Sequence, residues 1–353
     1  MKWIRSLGSA WERAYLRWRG AAGPTPERID IFAALRSARR ILVAPNDRVG
    51  GLFLAAPAYR MVRQSYPGGT IALLVEERHA GLAHRIPFVD EVQVAPLDVP
   101  VWRPAFRAAQ ARLAQQQYDL ALCLGPDCSF RLAYLCQTCG ARLRIGFHRP
   151  DLEPFNVEII NADPTRFEAE QHAQLLRLVG LRGEGEVRWV LSEDRARQIR
   201  ARFLGRGAEL QRAVGLDLGA SEGGGLGRRL CDEIVGRLVE RGVRTLLFFP
   251  LSERKLAARL KQAYAHHVVP VAQDDLGTVA ALLQGCEVLI AANTDLLHLG
   301  ISLEVPAVGL FDRDPRRWVA PDSSSVRVVH CSDLRTLPVS HVVTPVEQVL
   351  SSK

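Results

Sequence analysis

Ile41-Leu42-Val43-Ala44-Pro45 runs directly into Asn46-Asp47-Arg48-Val49-Gly50-Gly51, and a helical pattern follows from about Leu52 to Gln64, with Pro57 as a candidate kink. A short continuous apolar run, a glycine-bearing loop and then a helix is the first half of a βαβ unit whose strand is buried on both faces. The alternation continues outward. Ile71-Ala72-Leu73-Leu74-Val75, Val89-Asp90-Glu91-Val92-Gln93-Val94 and Asp119-Leu120-Ala121-Leu122-Cys123-Leu124 read as further strands, separated by helical patterns such as Ala105 to Gln117. The rhythm then repeats in Val214-Gly215-Leu216-Asp217-Leu218, Thr245-Leu246-Leu247-Phe248-Phe249, His267-Val268-Val269-Pro270-Val271, Val288-Leu289-Ile290-Ala291-Ala292 and Ala307-Val308-Gly309-Leu310-Phe311. Strands alternating with helices predict α/β architecture, and right-handed crossovers make each half Rossmann-like.

A chain of 353 residues exceeds one ordinary core, so two domains are expected. The join is expected between Val179 and Arg212, where Gly180-Leu181-Arg182-Gly183-Glu184-Gly185-Glu186 is rich in glycine and charge. The expected division is an N-terminal helix over 1–22, a first domain over 23–185 and a second over 186–353. Two facing doubly wound domains would leave a cleft at the carboxyl ends of both sheets, where ligands settle in such folds.

Hydrophobic residues at 48% and charged residues at 24% are ordinary for a globular protein and exclude disorder. The net charge of +8 suits an anionic partner, either a phosphorylated substrate or a phospholipid surface. Nucleic acid is not expected, because no helix-turn-helix, RRM or zinc-finger pattern accompanies the charge. Apolar runs such as Val288–Ala292 are too short to span a bilayer, and Met1-Lys2-Trp3-Ile4-Arg5 does not start a leader peptide, so a cytoplasmic protein is expected. Over residues 1–22, Trp3, Ile4, Leu7, Trp11, Tyr15 and Trp18 recur at helical spacing among Lys2, Arg5, Arg13, Arg17 and Arg19. Two readings stand: an interfacial helix lying peripherally on an anionic membrane, or a helix packed on the protein's own surface. Seven cysteines do not form a disulfide framework. Cys136 and Cys139, with Cys123 and Cys128 nearby, lack a second ligand pair at zinc spacing and read as buried thiols. His266-His267 likewise has no partner at metal-ligand spacing, so no metal site is expected.

In order along residues 40 to 320, a further set of motifs resembles glycosyltransferase family 9, the heptosyltransferases of lipopolysaccharide synthesis. The set starts with the loop 46–51 and Ala56-Pro57-Ala58-Tyr59-Arg60, then Tyr66-Pro67-Gly68-Gly69 and Pro87-Phe88-Val89-Asp90-Glu91-Val92. It continues with Gln117-Tyr118-Asp119-Leu120-Ala121-Leu122, Arg144-Ile145-Gly146-Phe147 and His172-Ala173-Gln174-Leu175-Leu176. In the second half stand Leu218-Gly219-Ala220-Ser221, Asn293-Thr294-Asp295-Leu296-Leu297-His298-Leu299, Val305-Pro306-Ala307-Val308-Gly309-Leu310-Phe311 and Asp314-Pro315-Arg316-Arg317-Trp318. The resemblance implies the GT-B arrangement, with the acceptor on the N-terminal half and the nucleotide-sugar on the C-terminal half. It also implies metal-independent, inverting transfer of heptose from ADP-heptose to a lipopolysaccharide core, with the nucleotide-sugar as a substrate and no resident cofactor.

Such a transfer needs a base for the acceptor proton and groups that stabilise the departing diphosphate. Gly219 and Ser221 lie in a strand-to-helix loop that suits phosphate, and Thr294 and His298 stand at the start of a helix, so these four are the donor-side candidates. Three motifs depart from the family. Gly224-Gly225 stands where a basic pair is usual, and Asn293 and Asp295 stand where the family has aspartate and glycine. Gly51 replaces the family's presumed catalytic aspartate. Asp47 is the nearby carboxylate, readable either as a replacement base or as an ion-pair partner of Arg48. Arg48, Arg144 and Arg149 are the acceptor-side candidates, since guanidinium groups match phosphate oxygens. The departures keep a second expectation alive: a catalytically silent, family-9-like protein that binds a glycan or a partner.

Overall fold

The structure, a computed structural model, describes residues 10–16, 29–48, 50–86, 88–149, 151–160, 162–163, 165–183, 193–204, 213–221 and 224–351. The chain divides into two compact units, residues 1–186 and 187–353. Each is built on a six-stranded, all-parallel sheet, so the expected α/β class with two Rossmann-like sheets is found.

The first sheet contains β1 (Arg40–Ala44), β2 (Thr70–Val75), β3 (Glu91–Val94), β4 (Leu120–Cys123), β5 (Leu143–Phe147) and β6 (Val157–Ile159), in the order β3-β2-β1-β4-β5-β6. The second contains β7 (Ala213–Asp217), β8 (Arg244–Phe249), β9 (Val268–Ala272), β10 (Val288–Ala292), β11 (Ala307–Phe311) and β12 (Val326–His330), in the order β12-β11-β10-β7-β8-β9. The central strands β4, β7 and β10 are buried along their whole length, as continuous apolar runs require in a sheet covered on both faces. Pro270 lies in β9, an edge strand, where a missing N–H costs no ladder bond on the outer side.

Several family motifs turn out to be joints of the first sheet. The Asp119 carboxylate, just before β4, accepts the N–H groups of Arg39 (2.7 Å) and Arg40 (2.8 Å) and so sets the start of β1. Arg63 donates to the Gly69 carbonyl at 2.8 Å and pairs with Asp90, which also accepts the Ile71 N–H at 2.7 Å. These bonds fix the entries to β2 and β3.

The single helix expected over 52–64 is two: Gly51–Leu54 and Ala56–Ser65, separated at Ala55 (φ −83°, ψ −2°). Pro57 sits in the first turn of the second helix, where its lost N–H has no intrahelical partner to miss, so it starts a helix rather than kinking one. Within the expected join lies the helix Glu193–Leu204, which packs against the helix Leu276–Leu283 of the second unit.

Residues 10–16 are helical, and there the own-surface reading holds. Glu12 is buried, accepting the Val101 N–H (3.1 Å) and Arg131 Nε (2.7 Å); Arg13 pairs with Asp151 at 3.2 Å, and the Tyr15 ring meets Trp102 edge-on at 5.7 Å. Residues 1–9 and 17–22 of that segment lie outside the described residues. Among the described residues, no helix is long and apolar enough to cross a membrane. Cys123, Cys128, Cys136 and Cys139 are buried free thiols, as their spacing suggests.

Candidate functional site

A doubly wound sheet offers its ligand site where the strand order reverses, because loops leaving adjacent strands there diverge to opposite faces. In the second sheet the reversal falls between β7 and β10. In the first it falls between β1 and β4.

At the β7/β10 reversal the centre is a residue that the sequence reading passed over as part of a strand. Asp217, the last residue of β7, is 1% exposed. Its Oδ1 accepts the Gly219 N–H (2.8 Å) and Gln273 Nε2 (2.7 Å), and its Oδ2 accepts the Thr294 hydroxyl (2.6 Å). Burial pushes its carboxyl above the ordinary range; the three donors pull the other way, and neighbouring Asp295 adds repulsion. Thr294 also caps the helix Asp295–Ser302, its Oγ1 accepting the Leu297 N–H at 3.4 Å. Asp217 therefore ties the loop after β7 to the first turn of that helix. A lone carboxylate closing an apolar strand was the signal available in the sequence.

The four donor-side candidates come together here, each already engaged. Gly219 gives its N–H to Asp217. The Ser221 hydroxyl lies 3.0 Å from the Gly224 carbonyl and 3.3 Å from Asp312 Oδ2, while Ser221 and Gly224 exchange backbone bonds of 3.0 and 3.1 Å. Gly224 holds φ +128°, a conformation that glycine tolerates best. His298 is 1% exposed, and its Nε2 donates to Asn293 Oδ1 at 2.9 Å, which sets the imidazole's tautomer. Asn293 thus has a defined job as the acceptor for His298.

At the β1/β4 reversal, loops 45–50 and 124–129 are laced together. Asp47 Oδ1 accepts the Ser129 N–H at 2.8 Å, and Arg48 Nε donates to the Asp127 carbonyl at 3.1 Å. Asn46, 3% exposed, gives its two amide protons to two carboxylates, Asp127 Oδ1 (2.9 Å) and Glu168 Oε1 (2.8 Å). Glu168 is fully buried at the start of the helix Glu168–Leu178, with His172 Nε2 at 3.5 Å. The ion pair between Asp47 and Arg48 that the sequence left open is not what holds this loop; both reach across to the loop after β4 instead.

Gly51 has no room for a side chain. A Cβ there would lie 2.0 Å from the Asn46 carbonyl oxygen and 2.8 Å from Asn46 Cβ; one at Gly125 would lie 2.8 Å from Asn46 Cγ. Asn46 fills the space between these two glycines.

The acceptor-side arginines separate. Arg144 is buried on β5 and gives its guanidinium to the Pro154 (2.8 Å) and Ala141 (2.7 Å) carbonyls, so the phosphate role expected of it gives way to a structural one. Arg149 forms a two-pronged pair with Asp151 (3.0 Å for each bond) and donates to the Cys128 carbonyl, which likewise commits it within the fold. Arg48 is partly exposed, and its Nη groups have no partner among the described residues. Of the three, it is the arginine whose terminal nitrogens the fold leaves uncommitted among the described residues. Among the described residues, no three His, Cys, Asp or Glu side chains are grouped to hold a metal.

Residues 231–349 match the family model described as glycosyltransferase family 9 (heptosyltransferase), so the motif resemblance is borne out over the segment that carries Thr294 and His298. No curated protein matches the chain. Among solved structures, the glycosyl transferase family 9 of Veillonella parvula is similar at 18% identity and TM-score 0.76, covering 93% of this chain and 100% of that one. E. coli ADP-heptose lps heptosyltransferase II is similar at 18% identity and TM-score 0.72, covering 89% and 99%. E. coli heptosyltransferase WaaC with ADP is similar at 20% identity and TM-score 0.66, covering 88% and 97%. At such identities the likeness establishes the fold, which is of the GT-B heptosyltransferase type.

Proposed function

We propose that this chain is an inverting, metal-independent glycosyltransferase that moves a sugar, heptose in the first instance, from ADP-heptose to an anionic lipopolysaccharide core or related glycan. The observation that carries this reading is the Asp217–Thr294 bond of 2.6 Å at the β7/β10 reversal, inside a unit whose residues 231–349 match the heptosyltransferase family. That bond fixes a helix start and a strand-to-helix loop against each other, the pairing of backbone N–H groups and helix dipole that favours a diphosphate.

In the transfer, the acceptor oxygen bonds to the anomeric carbon from the side opposite the leaving group. The bond from that carbon to the diphosphate oxygen breaks, and the diphosphate departs with the electron pair. Gly219, Ser221, Thr294 and His298 shape the donor loops, and Arg48 offers charge to an anionic acceptor. Calorimetric titration with ADP-, UDP- and GDP-sugars tests the reading. Micromolar binding of ADP-heptose supports it, and no binding of any of these donors refutes it.

A second reading, a catalytically silent glycan-binding or partner-binding protein, is favoured by one feature: Asp295 and Asp217 bring carboxylates to the donor loops, where a diphosphate would be repelled. Turnover separates the two. Release of ADP that depends on added acceptor glycan excludes the silent reading.

A further inference from the structure

We propose that Asp127, rather than Asp47, takes the proton of the acceptor hydroxyl, and that Asn46 is the residue that positions it. The inference rests on the glycosyl-transfer reading above and names the base which that reading requires.

The β1/β4 reversal gathers three carboxylates, and their surroundings differ. Glu168 is fully buried, out of reach of a glycan. Asp47 is half-buried, and its Oδ1 holds the Ser129 N–H at 2.8 Å, tying one loop to the other. Asp127 is exposed at the tip of the loop after β4, where a sugar hydroxyl can approach.

Exposure alone would leave Asp127 a solvated charge. Its surroundings fix it. An amide nitrogen carries two protons, and Asn46 spends one on Asp127 Oδ1 and the other on buried Glu168 Oε1. Asn46 Oδ1 also lies 3.3 Å from the Arg48 N–H, which leaves the amide a single orientation. The Arg48 Nε bond to the Asp127 carbonyl and the Ser129 N–H bond to Asp47 hold the backbone from Asp127 onward. A base held in advance at one place is what proton transfer needs.

A second feature points to this cluster. His172 is fully buried with its Nε2 3.5 Å from Glu168 Oε1, and neither ring nitrogen has a hydrogen-bond partner among the described residues. A buried imidazole in that state is rarely retained for packing alone.

The missing aspartate at Gly51 has a geometric counterpart. The backbone carbonyl oxygen of Asn46 occupies the volume into which a side chain at 51 would project, 2.0 Å from the Cβ position. The loop that excludes a carboxylate from its own end also presents one from the neighbouring strand's loop. In the step assigned here, the acceptor O–H bond breaks as the new bond to the anomeric carbon forms. The proton passes to the Asp127 carboxylate, and the diphosphate leaves with the electron pair.

The test uses the full-length protein, ADP-heptose, and as acceptor the truncated glycan extracted from a strain deleted for this gene. Asp127→Asn is expected to lose about 10²–10⁴-fold in kcat, the usual worth of a general base. Its Kd for ADP should stay unchanged and its melting temperature should stay within a few degrees of wild type. Asp127→Glu should recover part of the rate. Asn46→Ala should lower kcat without changing the Kd for ADP, a split that simple loss of fold would not produce. Full kcat in Asp127→Asn overturns the inference, as does a larger loss in Asp47→Asn than in Asp127→Asn. A wild-type protein that binds no ADP-heptose and extends no glycan fails at the glycosyl-transfer reading, and the inference falls with it.

Discussion

Adding one methyl group at Gly51 should damage the first unit far more than the same change at an open glycine. The new Cβ would stand 2.0 Å from the Asn46 carbonyl oxygen and 2.7 Å from its carbon, both backbone atoms that cannot rotate away. Either the helix Gly51–Leu54 shifts or Asn46 moves. Overpacking of this kind costs about 1–3 kcal/mol. If Asn46 yields, buried Glu168 loses a donor now 2.8 Å away, adding about 1–3 kcal/mol for a charge left short of a partner. The total of about 2–6 kcal/mol corresponds to a melting shift of at least about 4 °C for a unit of this size. Gly68, with nothing within 4 Å of its Cβ position, is the control. Gly51→Ala, Gly68→Ala and wild type should be compared by thermal unfolding followed by near-ultraviolet circular dichroism. Equal melting temperatures for the two variants would refute the claim that Asn46 seals the loop. The same reasoning predicts that Gly51→Asp, which restores the family's residue, lowers stability and does not raise activity.

Thr294→Val keeps the side chain's shape while removing both the cap on the helix Asp295–Ser302 and a bond to buried Asp217. A loss of about 2–5 kcal/mol in urea unfolding is expected, and a change below 0.5 kcal/mol would contradict the tie drawn here. Because burial raises the Asp217 carboxyl above its unfolded value, its contribution to stability is fully present below the unfolded value and is lost as pH rises through the folded one. Relative to Asp217→Asn, wild type should therefore be at its best near pH 4 and lose ground towards pH 8 in thermal shift assays; a pH-independent difference would count against this. Burial pushes Cys139 up to about 11 and both Cys231 and Cys286 up to about 12, and Cys123, Cys128 and Cys136 are also buried. In the folded protein, iodoacetamide should therefore reach Cys331 well before the other six, as read by mass spectrometry.

The strands that could be read from the sequence are those whose burial leaves an unbroken apolar run. β1, β2, β4, β7, β10 and β11 are of this kind, and each lies where it was expected within a residue or so. β6 and β12 escaped because neither shows an apolar run or a clear alternation; edge position alone does not hide a strand, since the edge strands β3, with its alternating valines, and β9 were both read. β6 is three half-buried residues, and β12 has one buried residue, Val326, followed by exposed Arg327 and Val328, half-buried Val329 and exposed His330. The division of the helix at Ala55 follows from local backbone geometry with no sequence signal beyond Pro57. The helix Glu193–Leu204 was masked by the glycine and charge before it. Motifs such as Asp90 and Asp119 were legible because they do structural work: a carboxylate that fixes the first residue of a neighbouring strand tolerates little change of type or spacing.

The site was legible as a set of positions and illegible as a set of roles, for one physical reason. Whether a side chain meets a ligand or supports another residue depends on hydrogen bonds between segments far apart in the chain. Thr294 and Asp217 are 77 positions apart, Asn46 and Asp127 are 81, and Asn46 and Glu168 are 122. From spacing alone, Thr294 and Arg144 look like groups offered to phosphate, yet one hydroxyl is held by a buried carboxylate and one guanidinium by two backbone carbonyls. The same holds for the apparent defect. Gly51 reads as a lost base because a sequence shows only what has left a position. The structure shows what stands beside it: the backbone carbonyl of Asn46 takes the space of a side chain at 51, while the Asn46 amide turns both its protons to carboxylates, one of them Asp127 on the next loop. Reverting Gly51 to aspartate therefore meets the backbone carbonyl of residue 46 whatever side chain that residue carries, and cannot rebuild the family's arrangement unless the loop itself moves.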